Sequence, residues 1–123
     1  MTKIELEFLF NCSDRILYNR LSTASGLGEW FADDVKVEAN IFTFIWEGVE
    51  EQAVLLGKKN LCYAKFKWLD SEPDTYFEFM IQTHDITNAI SLIITDFTED
   101  DEKQENIELW ETQINNLKHL LGA

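Results

Sequence analysis

Runs of alternating apolar and polar residues recur along most of this chain, and residues 100–121 then switch to apolar positions three and four apart. Alternation places every second side chain on one face of a strand, whereas spacings of three and four draw a stripe down a helix. A sheet with one apolar face must bury it against another element, and the terminal helix is the obvious cover. The expected architecture is α+β: a curved antiparallel sheet of about seven strands wrapped around a long C-terminal helix.

The first run sets Ile4, Leu6, Phe8 and Phe10 on one face, interleaved with Glu5, Glu7 and Leu9. Asn11, Cys12 and Ser13 break it. Ser13 is placed to cap a short helix over residues 14–21, where Ile16, Leu17 and Leu21 keep helical spacing. Residues 22–26 read as a loop holding a second cap candidate, and residues 27–31 as another brief helical turn before Asp33 and Asp34. Two short helices are therefore expected after the first strand.

Six further strands are expected over residues 35–38, 41–46, 52–56, 61–69, 76–83 and 89–97. Phe42, Phe44 and Trp46 share one side; so do Cys62, Ala64, Phe66 and Trp68, and so do Phe77, Phe79 and Ile81. The connections fall at residues 47–51, 57–60, 70–74 and 84–88, the third holding the chain's one proline, Pro73. Such close spacing indicates antiparallel meanders.

In the closing helix, Thr98 followed by Asp101 resembles a capping box. Glu99, Asp100, Asp101 and Glu102 crowd its positive end, Lys118 and His119 sit near its negative end, and Gly122 supplies a stop. Ile107, Trp110, Ile114, Leu117 and Leu121 form the apolar stripe. A helix over residues 100–121 reaches roughly 33 Å at 1.5 Å per residue, the width of a small domain.

A chain of 123 residues suits one domain, residues 1–123. Its net charge of −13 repels phosphate backbones and anionic headgroups, so nucleic-acid binding is not expected. No apolar run approaches the roughly 18 residues that span a bilayer, so no membrane insertion is expected, and the charged start does not read as a signal peptide. Cys12 and Cys62 show no paired spacing and read as reduced thiols of a cytoplasmic protein.

The order of elements resembles the helix-grip fold of the SRPBCC, or START-like, superfamily. Within it, the segment Ser13-Asp14-Arg15-Ile16-Leu17-Tyr18-Asn19-Arg20-Leu21-Ser22-Thr23, followed by Gly26-Leu27-Gly28-Glu29-Trp30-Phe31, is similar to the branch named after the activator of heat shock protein 90 ATPase. That branch shows a Leu-Tyr or Val-Tyr helix, a Leu-Ser or Leu-Thr step and a Trp-Phe pair. The stretch from Glu108 to Leu121 also resembles small bacterial START-like proteins. The likeness covers essentially the whole chain, through motifs that pack rather than react. It implies an apolar ligand, a lipid or another small molecule, held between sheet and helix, or a chaperone partner. Some superfamily members are cyclases or hydrolases. Eukaryotic cochaperones of the branch carry an additional N-terminal domain, which a chain of this length is not expected to contain.

The aromatic residues are the main functional candidates: nine Phe, four Trp and three Tyr, concentrated in the strands. Phe8, Phe44, Trp46, Phe66, Trp68, Phe77, Phe79 and Trp110 either line an apolar cavity beside the helix or interlock as a core. Trp30, with Phe31, is a lid over the cavity mouth or a plug in it, and Ile114 completes the expected ligand-binding set. Asp96 reads as a strand-end residue or a paired pocket anchor. Together with Tyr63 and Tyr76 it is the only polar candidate for an enzymatic reading. His84, beside Asp85, and His119 read as a loop residue and a helix-end charge. Neither histidine nor cysteine spacing announces a metal site, and no cofactor or catalytic residue is assigned.

Overall fold

A computed structural model of the chain describes residues 1–84 and 89–123. The elements run β1 (Thr2–Phe10), α1 (Asp14–Ser22), α2 (Ala24–Leu27), β2 (Asp34–Glu38), β3 (Ile41–Trp46), β4 (Val49–Lys59), β5 (Tyr63–Trp68), β6 (Phe77–Thr83) and β7 (Ile90–Thr98). A 3-10 turn (Asp100–Glu102) then leads into α3 (Lys103–Leu121). The strands form one sheet in the order β1-β7-β6-β5-β4-β3-β2, every neighbouring pair antiparallel. The connection expected at residues 84–88 falls largely on residues 85–88, which lie outside the described residues.

The alternation read from the sequence sets the inner face of the sheet. Phe42 and Phe44 on β3, Phe66 on β5, Phe77 and Phe79 on β6, and Leu92 and Ile94 on β7 are all buried there. The α3 stripe closes over them: Trp110, Ile114 and Leu117 are buried, and Ile107 and Leu121 pack at the edges of the core. Lys118 Nζ lies 5.4 Å from the Phe10 ring centroid, so a cation at the end of α3 also rests on β1.

Four local expectations change. The terminal helix does not begin on a capping box. Thr98 is the last residue of β7, paired with Thr2, and its hydroxyl donates to the Glu99 carbonyl. The chain turns through a 3-10 segment before the α-helix starts at Lys103, and the Thr2 hydroxyl donates to the Asp100 carboxylate. The supposed loop over residues 22–26 is mostly helix, because Thr23 Oγ1 accepts from Gly26 N at 2.9 Å and caps α2.

Strand β4 is far longer than residues 52–56. Its hairpin with β3 uses only Glu47 and Gly48, both with positive φ (49° and 81°), as a two-residue primed turn requires. Pairing therefore starts at Trp46 with Val49 and continues through Glu50 and Glu51. At the other end a register shift between Leu55 and Gly57 carries Gly57, Lys58 and Lys59 on as strand. Strand β5 in turn starts at Tyr63, leaving Cys62 in the preceding turn.

Candidate functional site

Phe31 decides how the space between sheet and helix is filled. Helix α2 ends at Leu27, and the Phe31 amide donates back to the Leu27 carbonyl, which aims the ring inward. Its centroid lies 5.2 Å from Phe44, 5.4 Å from both Trp30 and Trp46, 5.7 Å from Trp110, 5.9 Å from Phe77 and 6.0 Å from Phe79. The Phe31 carbonyl is held as well, accepting from Trp46 Nε1 at 2.8 Å and Gln113 Nε2 at 3.3 Å. Phe31 is thus a plug, and only 4% of its surface is exposed.

Beside the plug an open cleft of about 420 Å³ remains between the sheet and α3. Its walls come from Phe31, Trp46 on β3, Trp68 on β5, Phe77 on β6, and Leu109 and Trp110 on α3. Asn106 and Gln113 add amides from α3, while Glu51 on β4 and Asp96 on β7 add carboxylates. Leu109 is 57% exposed, an apolar residue left at the rim.

Of the ten residues expected to bind a ligand, Trp46, Trp68, Phe77 and Trp110 line this cleft. The other six do not. Phe44, Phe66, Phe79 and Ile114 are fully buried in the interlocked core, where neighbouring rings occupy the room a ligand would need. Phe8 is only partly buried, packed against that core from β1. Trp30 is buried behind Phe31, its Nε1 donating to the Arg20 carbonyl at 2.8 Å, so it ties α1 to the following turn instead of covering a mouth.

Asp96 joins the two readings made of it: near the end of β7, on the inward face, it reaches α3. Its Oδ2 accepts from Trp110 Nε1 at 2.9 Å and Asn106 Nδ2 at 3.5 Å, and its Oδ1 from the Phe97 amide at 2.8 Å. Burial pushes its carboxyl above the ordinary range, and these donors pull it back only in part. Glu51, Asn106, Leu109 and Gln113 had no sequence signal. Glu51 reads as part of a connection until the β3–β4 hairpin sets it opposite Phe44.

The enzymatic candidates do not converge. Tyr76 packs on Phe97 and under Lys65 on the outer face, and Tyr63, opposite Met80 in the register, shares that face. His84 Nε2 lies 2.8 Å from Ser91 Oγ, but the Ser91 hydroxyl donates to Glu7 Oε2 at 2.8 Å. A serine whose proton is directed to a carboxylate is not being activated by the imidazole. His119 is exposed in the last turn of α3. Burial raises the Cys12 thiol above its usual range, away from thiolate reactivity. Among the described residues, no group of three or more His, Cys, Asp or Glu is placed to hold a metal ion.

A curved antiparallel sheet gripping a C-terminal helix, with a ring-lined cleft at one end, defines a helix-grip protein. A model of the START-like superfamily domain matches residues 1–123, and the chain belongs to that superfamily. No curated protein matches it. Among solved structures it is similar to the Aha1 dimer from Colwellia psychrerythraea, at 19% identity and a TM-score of 0.78, over 96% of this chain and 94% of that one. It is also similar to a protein from Mesorhizobium loti, at 13% identity and a TM-score of 0.76, over 98% of this chain and 97% of that one. DynU16, from the dynemicin biosynthetic locus, aligns at 11% identity and a TM-score of 0.82, over 98% of this chain but 47% of its own. At these identities the likeness is one of fold.

Proposed function

We propose that this chain is a noncatalytic binding protein that takes a small, largely apolar molecule, such as a lipid fragment or other amphiphile, into the cleft between the sheet and α3. The observation that carries this reading is the cleft itself: about 420 Å³ walled by rings from three strands and the helix, with four polar side chains, Glu51, Asp96, Asn106 and Gln113, set among them. Trp46 and Trp68 are only half-buried, so a ligand would complete their burial. Removing some 200 Å² of apolar surface from water contributes about 5 kcal/mol before the costs of ordering. A cytoplasmic setting goes with this reading, since Cys12 and Cys62 are free thiols.

Protein purified without denaturant, extracted into organic solvent and read by mass spectrometry should release a retained small molecule. The Trp46→Ala, Trp68→Ala double variant should release none. A blank extract from the unaltered protein, together with tryptophan fluorescence that does not respond to a neutral aromatic probe, overturns the reading.

A second reading, a protein-interaction module of the chaperone-activator type, draws on the likeness to a bacterial Aha1 and on the net charge of −13. Capture of the matching chaperone at low salt, lost at high salt, supports it, because exposed charge contacts are screened.

A further inference from the structure

An apolar cleft needs no carboxylates, and this one has two. Asp96 and Glu51 both line it, and no Lys, Arg or His does so among the described residues. Closing a neutral ligand over Asp96 strips water from a charge and returns nothing to it, a cost that selects against purely apolar occupants. A cation reverses that balance. Three donors already serve Asp96, from Trp110, Asn106 and the Phe97 amide. Two carboxylate oxygens offer about four acceptor sites, so one more donor or a close positive charge can be added.

The rings suit the same partner. Trp46 directs its indole N–H to the Phe31 carbonyl and Trp110 directs its own to Asp96, so these donors are committed and ring surface remains for a ligand. Indole faces are the strongest aromatic partners for a cation. Beyond the mouth, an adjoining depression shares Glu51 and Trp68 and adds Glu50 and Asp70, so the approach is negative too. Within a chain of net charge −13, that field gathers cations and turns anions away.

We propose that the cleft takes an organic cation: an ammonium or quaternary ammonium group on a small apolar body, set among Trp46, Trp68 and Trp110 with Asp96 and Glu51 as counter-charges. The proposal rests on the reading of the cleft as a ligand site, and it adds the charge of the ligand.

Three probes of one shape test it by tryptophan fluorescence and calorimetry: benzyltrimethylammonium, its uncharged carbon isostere neopentylbenzene, and the anion benzylsulfonate. The cation should bind at least about tenfold more tightly than the neutral probe, and the anion should not bind. Asp96→Asn, which retains an acceptor for Trp110, should weaken the cation about tenfold and tighten the neutral probe, which no longer strips water from a charge. Glu51→Gln, on an exposed side chain, serves as the variant least able to disturb folding, and should cause a smaller loss that fades as salt is raised. Cation and neutral probe binding equally well overturns this inference and leaves the apolar-site reading standing. No response to either probe overturns both. Phosphatidylcholine vesicles added as competitor separate two sources of such a group: a bound probe left in place assigns a free cation, and its displacement assigns a lipid headgroup.

Discussion

At the scale of single residues, Asp96 carries the most chemistry. Burial holds its carboxyl above the value it has in the unfolded chain, so the folded state binds the proton more tightly. Stability must then fall as pH rises from the ordinary carboxylate range through the raised folded value, and level off above it. Asp96→Asn can keep one acceptor oxygen, turned to Trp110 Nε1, at the cost of the bond from the Phe97 amide, and it carries no charge at any pH. Its stability relative to the unaltered protein should therefore climb across that same window and stay flat at lower pH. Denaturant melts at a series of pH values check this; a constant difference between the two proteins refutes it. A residue that weakens the fold at neutral pH while lining a cleft is what a trade between stability and binding produces.

Among the elements, the α1–α2 junction governs the site from a distance. A Cβ on Gly26 would lie 2.2 Å from the Asn19 carbonyl oxygen and 2.7 Å from Arg20 Cα, both backbone atoms of α1. Gly26→Ala must therefore push the two helices apart, costing about 1–3 kcal/mol in a urea melt. Because α2 leads directly to Phe31, the tryptophan fluorescence of the native state should shift as well.

This junction also marks the limit of what the sequence discloses. The alternation in β3, β5 and β6 and the α3 stripe report burial directly, so the sheet, the helix and their facing sides were legible. Residues 22–26 signal a cap but not the helix that Thr23 caps, because Ser, Thr and Gly in succession mark loop and cap alike. The ends of β4 are illegible for a related reason: Glu50, Glu51, Lys58 and Lys59 look like turn residues until cross-strand pairing draws them into the ladder. Which rings line the cleft and which fill the core was not legible at all. That division depends on where Phe31 docks, and docking is a tertiary event that leaves no local pattern.

For the molecule as a whole, Phe31 separates a packed interior from an open cleft. Phe31→Ala removes a ring that six other aromatic residues contact, so it should cost about 3–5 kcal/mol of stability. The emptied space borders the cleft and should merge with it. The variant should then take up bulkier neutral aromatic probes than the unaltered protein can, as measured by fluorescence titration. Loss of stability with no new binding would mean that the neighbouring rings collapse into the gap.

The sheet order has a consequence for how the chain is made. Strand β1 pairs along its full length with β7, Thr2 opposite Thr98 and Phe10 opposite Ile90, while β2, the next strand in sequence, occupies the far edge. During synthesis β1 emerges long before β7, its one sheet neighbour among the described residues, and must wait until nearly everything up to residue 98 has been made. Closing so long a loop raises the entropic barrier to folding.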